Sequence, residues 1–178
     1  MVLLWIIAGY TVAAALLYVA MRAKCKRNAV FRMPKNKWAF YVLSMTWGLP
    51  MVIVGAFAAI FLRLKGYKPT KYGLIWCFEI PNIDWGVWLG MFIIVPEGNE
   101  SVKRHEHGHG IQNIYLGFFE PVVVALPSAI RFWYREIREK NGKPSKAAYD
   151  DVWFEKSATD SGGTFIERLK QKSIQKNS

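Results

Sequence analysis

The sequence predicts an α-helical membrane protein that carries a small α+β region, and three observations predict it. Residues 2–21 form an uncharged apolar run, matching the length of about 20 residues that crosses a bilayer as one helix. Acidic residues are absent before Glu79, although the chain of 178 residues holds 24 Lys and Arg and 13 Asp and Glu. All three histidines fall in one string, His105-Glu106-His107-Gly108-His109. The N-terminal part therefore reads as a basic, apolar anchor. The acids and histidines, which carry most acid–base and metal chemistry, all follow it.

Composition supports the membrane class. Hydrophobic residues make up 52% and aromatics 15% of the chain, high for a soluble domain. The net charge of +11 flanks the apolar runs and forms no recognisable nucleic-acid motif. It reads as attraction to a membrane surface and topology control, with no nucleic-acid partner. Cys25 and Cys77 are isolated and form neither a disulfide framework nor a Cys-x-x-Cys pair.

Taken in order, the run at 2–21 lacks the basic start and small-residue cleavage site of a signal peptide, so it reads as a retained anchor. Seven basic residues (Arg22, Lys24, Lys26, Arg27, Arg32, Lys35, Lys37) and no acid follow it. Residues 38–62 form a second apolar run, interrupted only at Gly48-Leu49-Pro50, where Pro50 is expected to kink a second span. The result is a transmembrane helical hairpin with a basic connection, spanning 1–65. The positive-inside rule puts that connection in the cytoplasm and everything after residue 62 outside, with Arg63, Lys65, Lys68 and Lys71 weighing against that bias.

The remaining region, 66–170, is expected to begin with two short strands, 73–80 and 87–95, joined by a turn. A third membrane segment is the rival there, opposed by Asp84 and the glycines. Ser101 is the expected N-cap of a helix over 102–116. Pro121 and Pro127 should break the apolar stretch 117–134 into a short helix or re-entrant piece. Arg131-Phe132-Trp133-Tyr134-Arg135 has the basic and aromatic mix of a membrane interface. Residues 149–169 read as one or two helices with a break at Ser161-Gly162-Gly163, and 171–178 as a polar, frayed tail.

The histidine string fits His-Glu-x-x-His, the zinc-binding signature of metallopeptidases. Residues four apart lie on one helix face, so His105 and His109 can present two nitrogens to one ion. His107 points away. Glu106 can act as general base on water. A catalytic zinc needs a third protein ligand. No fourth histidine exists and the cysteines are badly placed, so a carboxylate is expected, with Asp150, Asp151, Glu155, Asp160 and Glu167 open. Gln112 shares the face of His105 and can hydrogen-bond a ligand or the substrate. Glu120, in an apolar stretch, is expected to cap a helix or pair with Arg131 or Arg135. Tyr149, Tyr134 and Tyr115 are candidates for oxyanion stabilisation.

Glu155-Lys156-Ser157-Ala158-Thr159-Asp160 resembles the second zinc helix of gluzincin metallopeptidases, the group that includes thermolysin and the membrane CAAX-type prenyl proteases. That resemblance implies Glu155 as third ligand and Asp160 as the acid that orients a ligand histidine. Here Thr159 stands where the aspartate is usual and Asp160 comes five residues after Glu155, so a hydrogen bond from Thr159 or an acid elsewhere is the expected substitute. The stretches Gly86–Gly90, Phe92–Ile94, His105–Gln112, Leu116-Gly117 and Leu126–Ser128 also resemble small bacterial membrane proteins of the same zincin type. The resemblance implies a minimal zincin-like region whose C-terminal helix carries the third ligand. It implies a Zn2+-dependent endopeptidase, integral to a bacterial-type inner or plasma membrane, in contact with lipids and with a peptide or protein substrate. The topology then places the active site on the non-cytoplasmic side. The alternative is a non-catalytic membrane protein that keeps the metal site for binding or assembly. Di-iron membrane chemistry, which needs about eight histidines in several clusters, does not fit one cluster of three.

Overall fold

The uncharged N-terminal run folds as one helix, α1 (Val2–Arg27), in the computed structural model, which describes residues 1–27, 30–34, 36–143 and 152–177. Among the described residues it is the one helix long and apolar enough to cross a membrane by itself. Its outer face is bare, with Leu3, Trp5, Val12, Leu16 and Val19 exposed. Its inner face joins Ala14 and Cys25 to a core with Trp153 and Phe154. The Tyr10 hydroxyl donates to the Phe118 carbonyl at 2.7 Å.

The second apolar run is not the straight second arm of a hairpin. It divides into α2 (Lys37–Met45) and α3 (Leu49–Leu64), bent by 88°. Pro50 lies in the first turn of α3, where its missing N–H has no helical partner to lose. It starts a new helix and does not kink a continuous one. The elbow closes tightly, since a Cβ on Gly48 would stand 2.0 Å from Asn113 Nδ2. The expected hairpin is thus one straight candidate span followed by a right-angled pair.

Four strands follow: β1 (Thr70–Tyr72), β2 (Ile75–Ile80), β3 (Val87–Leu89) and β4 (Phe92–Pro96), in the order β1-β2-β4-β3. The expected single strand over 87–95 is a hairpin. Gly90, at φ +65°, turns the chain back between β3 and β4, with Leu89 opposite Phe92. β2 and β4 pair in parallel without a crossover helix because β3 supplies the return stroke. The consequence for function is that β3, not β4, is an edge of the sheet. The hairpin docks on α3 through glycine, since a Cβ on Gly55 would lie 2.0 Å from the Leu89 carbonyl.

The motif helix α4 (Glu100–Leu116) begins two residues earlier than expected. Asn99 is its N-cap in place of Ser101, accepting from the Val102 N–H at 3.1 Å. After Leu116 the chain makes a 3-10 turn at Gly117–Phe119 and a π turn at Pro121–Ala125, then enters α5 (Leu126–Lys140). The whole piece bends by 114°, in keeping with the expected broken segment. α5 leaves Leu126, Ile130, Trp133 and Ile137 exposed in one stripe.

α6 (Trp153–Asn177) is one continuous helix. It runs through Ser161-Gly162-Gly163, and the expected frayed tail is helical to Asn177. Packing overrides the poor helix propensity of glycine here. α4 and α6 cross so closely that a Cβ on Gly108 would lie 1.9 Å from the Ala158 carbonyl, and one on Gly162 1.8 Å from the Arg104 carbonyl. Both obstacles are backbone, so neither can move aside.

Gly162→Ala is therefore expected to cost about 2 kcal/mol or more. Gly163, beside which nothing lies within 4 Å, is expected to accept alanine neutrally or with a gain of up to about 1 kcal/mol. Thermal unfolding of the two variants in one detergent checks this. Equal stabilities would mean that the helices do not touch at Gly162.

Candidate metal centre

The α4–α6 crossing sets the register of the site. On α6, Glu155 and Thr159 are one turn apart and share the face turned to α4. The Glu155 Oε2 atom lies 3.1 Å from His105 Nε2 and 3.4 Å from His109 Nε2. The two imidazole nitrogens are 3.2 Å apart. Tetrahedral bonds of about 2.0–2.2 Å place ligand atoms about 3.3–3.6 Å from one another. The triangle observed is close to that size. One ligand atom from each of the three residues lies within 4.8 Å of the other two. His105, His109 and Glu155 form a group that could hold a metal ion.

A relay of hydrogen bonds lies behind the two imidazoles. The Gln112 amide nitrogen donates to the Phe154 carbonyl at 2.7 Å and to the Ser157 hydroxyl. A carbonyl only accepts, so Gln112 must turn its own oxygen toward His109 Nδ1, 2.8 Å away. His109 therefore carries its proton on Nδ1 and offers the Nε2 lone pair to the centre. His105 Nδ1 meets Thr159 Oγ1 at 2.9 Å, which leaves its Nε2 facing the centre in the same way. Gln112 thus makes a hydrogen bond to a candidate ligand histidine.

Asp160 does not have the role expected for it. One residue beyond Thr159, it is turned about 100° around the helix and faces Lys156 at 3.6 Å. The orienting contact comes from Thr159. Of the other acids, Glu167 is exposed, and Asp150 and Asp151 lie outside the described residues. Cys25 and Cys77 are buried free thiols. Sequence reasoning missed Ser157, which steadies Gln112, and the glycines that seat α4 on α6. The small residues Ala158 and Gly162, four apart, were the available signal for that contact.

Charge shapes the site strongly. Burial raises the Glu155 pKa, but the adjacent His105 and His109 outweigh it and hold the carboxyl well below the usual range. Burial would lower His109, yet Glu155 and then Glu106 prevail and push it up to about 9. Burial raises the Glu106 pKa above the ordinary carboxylate value, opposed by His109 and His105. His107 points away, as expected, but not into solvent. It is fully buried, stacked on Phe165 at 4.7 Å, and burial pushes its pKa down to about 3.

His105, Glu106 and His109 open into a cavity of about 530 Å3, walled by β3, Trp85, Val124, Phe132 and Trp133. Gly86 lies over the Glu106 carboxylate, where a Cβ would stand 2.7 Å from Oε1. Neither described tyrosine candidate reaches the cavity. The Tyr115 hydroxyl donates to the Arg32 carbonyl, and the Tyr134 hydroxyl accepts from Arg138. Tyr149 lies outside the described residues. Glu120 lines the cavity floor, fully buried. The expected pairing with Arg131 or Arg135 is absent, and neither Glu120 oxygen has a hydrogen-bond partner. Burial pushes its pKa up to about 8.

No protein-family model, no curated protein and no solved structure matches this chain.

Gln112→Ala and Thr159→Val are each expected to weaken metal binding about 10–100-fold, whereas Asp160→Ala leaves it unchanged. Competition with a fluorescent chelator measures all three. Equal weakening by Asp160→Ala would reverse the assignment. Wild-type affinity is expected to rise as pH increases toward about 9, where His109 loses its proton.

Proposed function

We propose that this protein is a membrane-associated, metal-dependent hydrolase of peptide bonds, of the gluzincin type. The converging triangle of His105, His109 and Glu155, with Glu106 beside it in the same cavity, carries this reading. The donor set, two imidazoles and one carboxylate, suits Zn2+. Held there, Zn2+ supplies a Lewis acid and lowers the pKa of water to about 7.

The chain's own residues do the rest. Gln112 holds His109 in its ligand tautomer, and Thr159 orients the His105 ring. The Glu106 carboxylate takes the proton of the attacking water and returns it to the leaving amine. Its raised pKa suits a base that must also act as an acid. β3 is an edge strand along the cavity, where an extended peptide can add as a strand. The apolar walls limit competing water. The Thr159 contact replaces the missing aspartate, so the departure at that position does not favour the non-catalytic alternative.

Sidedness turns on the bent pair of α2 and α3, which is either one broken span or a re-entrant piece. A broken span keeps the site on the non-cytoplasmic side, as expected from the sequence. A re-entrant piece, with α1 as the single span, puts the basic segment after α1 and the site together on the cytoplasmic face, and this second reading is the one proposed.

Glu106→Gln is expected to retain wild-type metal content and to lose cleavage of a quenched peptide by about 100-fold or more. Elemental analysis and the cleavage assay decide it together, and undiminished cleavage would remove Glu106 from the chemistry. A single cysteine placed at exposed Gly142 in a background without Cys25 and Cys77 is expected to be protected from an impermeant thiol reagent in intact cells. Ready labelling there would restore the non-cytoplasmic placement.

A further inference from the structure

The cavity contains one ionisable group with no task in the hydrolysis described above. Glu120 is 0% exposed, and neither of its oxygens has a hydrogen-bond partner. Its charged form has no hydrogen-bond partner and only the charge of His109 to favour it, which leaves it costly in an apolar surround. Among the described residues lining the cavity, the remaining polar side chains besides the tryptophans are His105, Glu106, His109 and Ser128. The three residues from α4 belong to the metal centre, so Glu120 is the spare acid.

Its neighbours narrow what it can receive. Trp85, Phe132 and Trp133 line the same cavity, with Val87, Leu89 and Val124. An unpaired carboxyl beneath aromatic and aliphatic walls matches a group that is cationic at its tip and apolar along its stem. The ring faces attract the cation, the carboxylate pairs with it, and the walls bury the methylenes. The volume of about 530 Å3 is ample for an extended basic side chain. A neutral apolar ligand would leave Glu120 unsatisfied.

We propose that the cavity is a subsite for an alkylammonium or alkylguanidinium group, which Glu120 pairs at the cavity floor. In the hydrolase this group belongs to the substrate, as a lysine or arginine side chain or a peptide amino terminus. That step rests on the peptidase reading, whereas binding of the cation itself does not. The proton that Glu120 holds when alone (its pKa is about 8) leaves as the cation arrives.

The test uses the intact, metal-loaded protein in detergent and titrates n-butylguanidinium against n-pentanol, a neutral probe with a similar alkyl chain, by calorimetry. Saturable binding of the cation, at least about tenfold tighter than the alcohol, is expected in wild type. Glu120→Gln is expected to abolish the difference without changing metal content. Gln is isosteric with the protonated acid, and wild type alone can refute the proposal if the alcohol binds as well as the cation. Peptides with an internal Arg or Lys and an acetylated amino terminus, against peptides with a free terminus and no basic side chain, identify the source of the cation. Wild type is expected to favour one set by at least about tenfold in kcat/KM, and the variant to lose that preference. A uniform loss of cleavage across both sets, with preference intact, would assign Glu120 to the chemistry and overturn the subsite. If neither protein cleaves any peptide while the cation still binds through Glu120, the peptidase reading fails and the subsite stands.

Discussion

The crossing of α4 over α6 is the contact on which everything else depends. Gly108 and Gly162 let the two backbones meet where any side chain would collide with a carbonyl. That approach brings Glu155 within 3.1 Å of His105 and 3.4 Å of His109, and Thr159 within hydrogen-bond distance of His105. It also seats Gln112 of α4 against Phe154 and Ser157 of α6. A separation larger by one methyl group would break all these contacts at once. The glycines weaken each helix alone, and the loss is recovered as a site with fixed ligand geometry.

The same contact explains what the sequence could and could not tell. His105, Glu106 and His109 were legible because their relation is local, set by helical spacing within one turn. Glu155 lies 46 residues beyond His109 and was reached only by resemblance to a known helix pattern. The choice between Thr159 and Asp160 was decidable from helical phase, since four residues from Glu155 return to its face and five do not. The run through Gly162-Gly163 looked like a break because propensity reports a helix by itself, not one pressed on a neighbour. Two other differences share a cause. Hydropathy sees that 38–62 is apolar but not that the chain turns by 88° at Gly48. Nor does it distinguish one strand over 87–95 from a hairpin, when Gly90 is the sole polar-looking residue between two apolar runs.

The architecture couples the membrane to the site. α1 packs its Ala14 and Cys25 into the core that holds Trp153 and Phe154, and Phe154 is the residue whose carbonyl orients Gln112. The segment after α1 is tied to α6 as well, through the Phe31 N–H to the Ser161 hydroxyl at 2.8 Å. The N-terminal helix is therefore packed into the support of the candidate metal site and is not a detachable tether. α5 adds an exposed apolar stripe with basic residues, and its Phe132 and Trp133 line the cavity.

The most direct measurement is X-ray absorption at the zinc edge of the purified protein loaded with one equivalent of Zn2+. Four-coordinate zinc with two imidazoles and the remainder oxygen, at about 2.0–2.1 Å and without sulfur, is the expected spectrum. A sulfur shell at about 2.3 Å, a single imidazole, or six-coordinate hydrated metal would contradict the assignment of His105, His109 and Glu155.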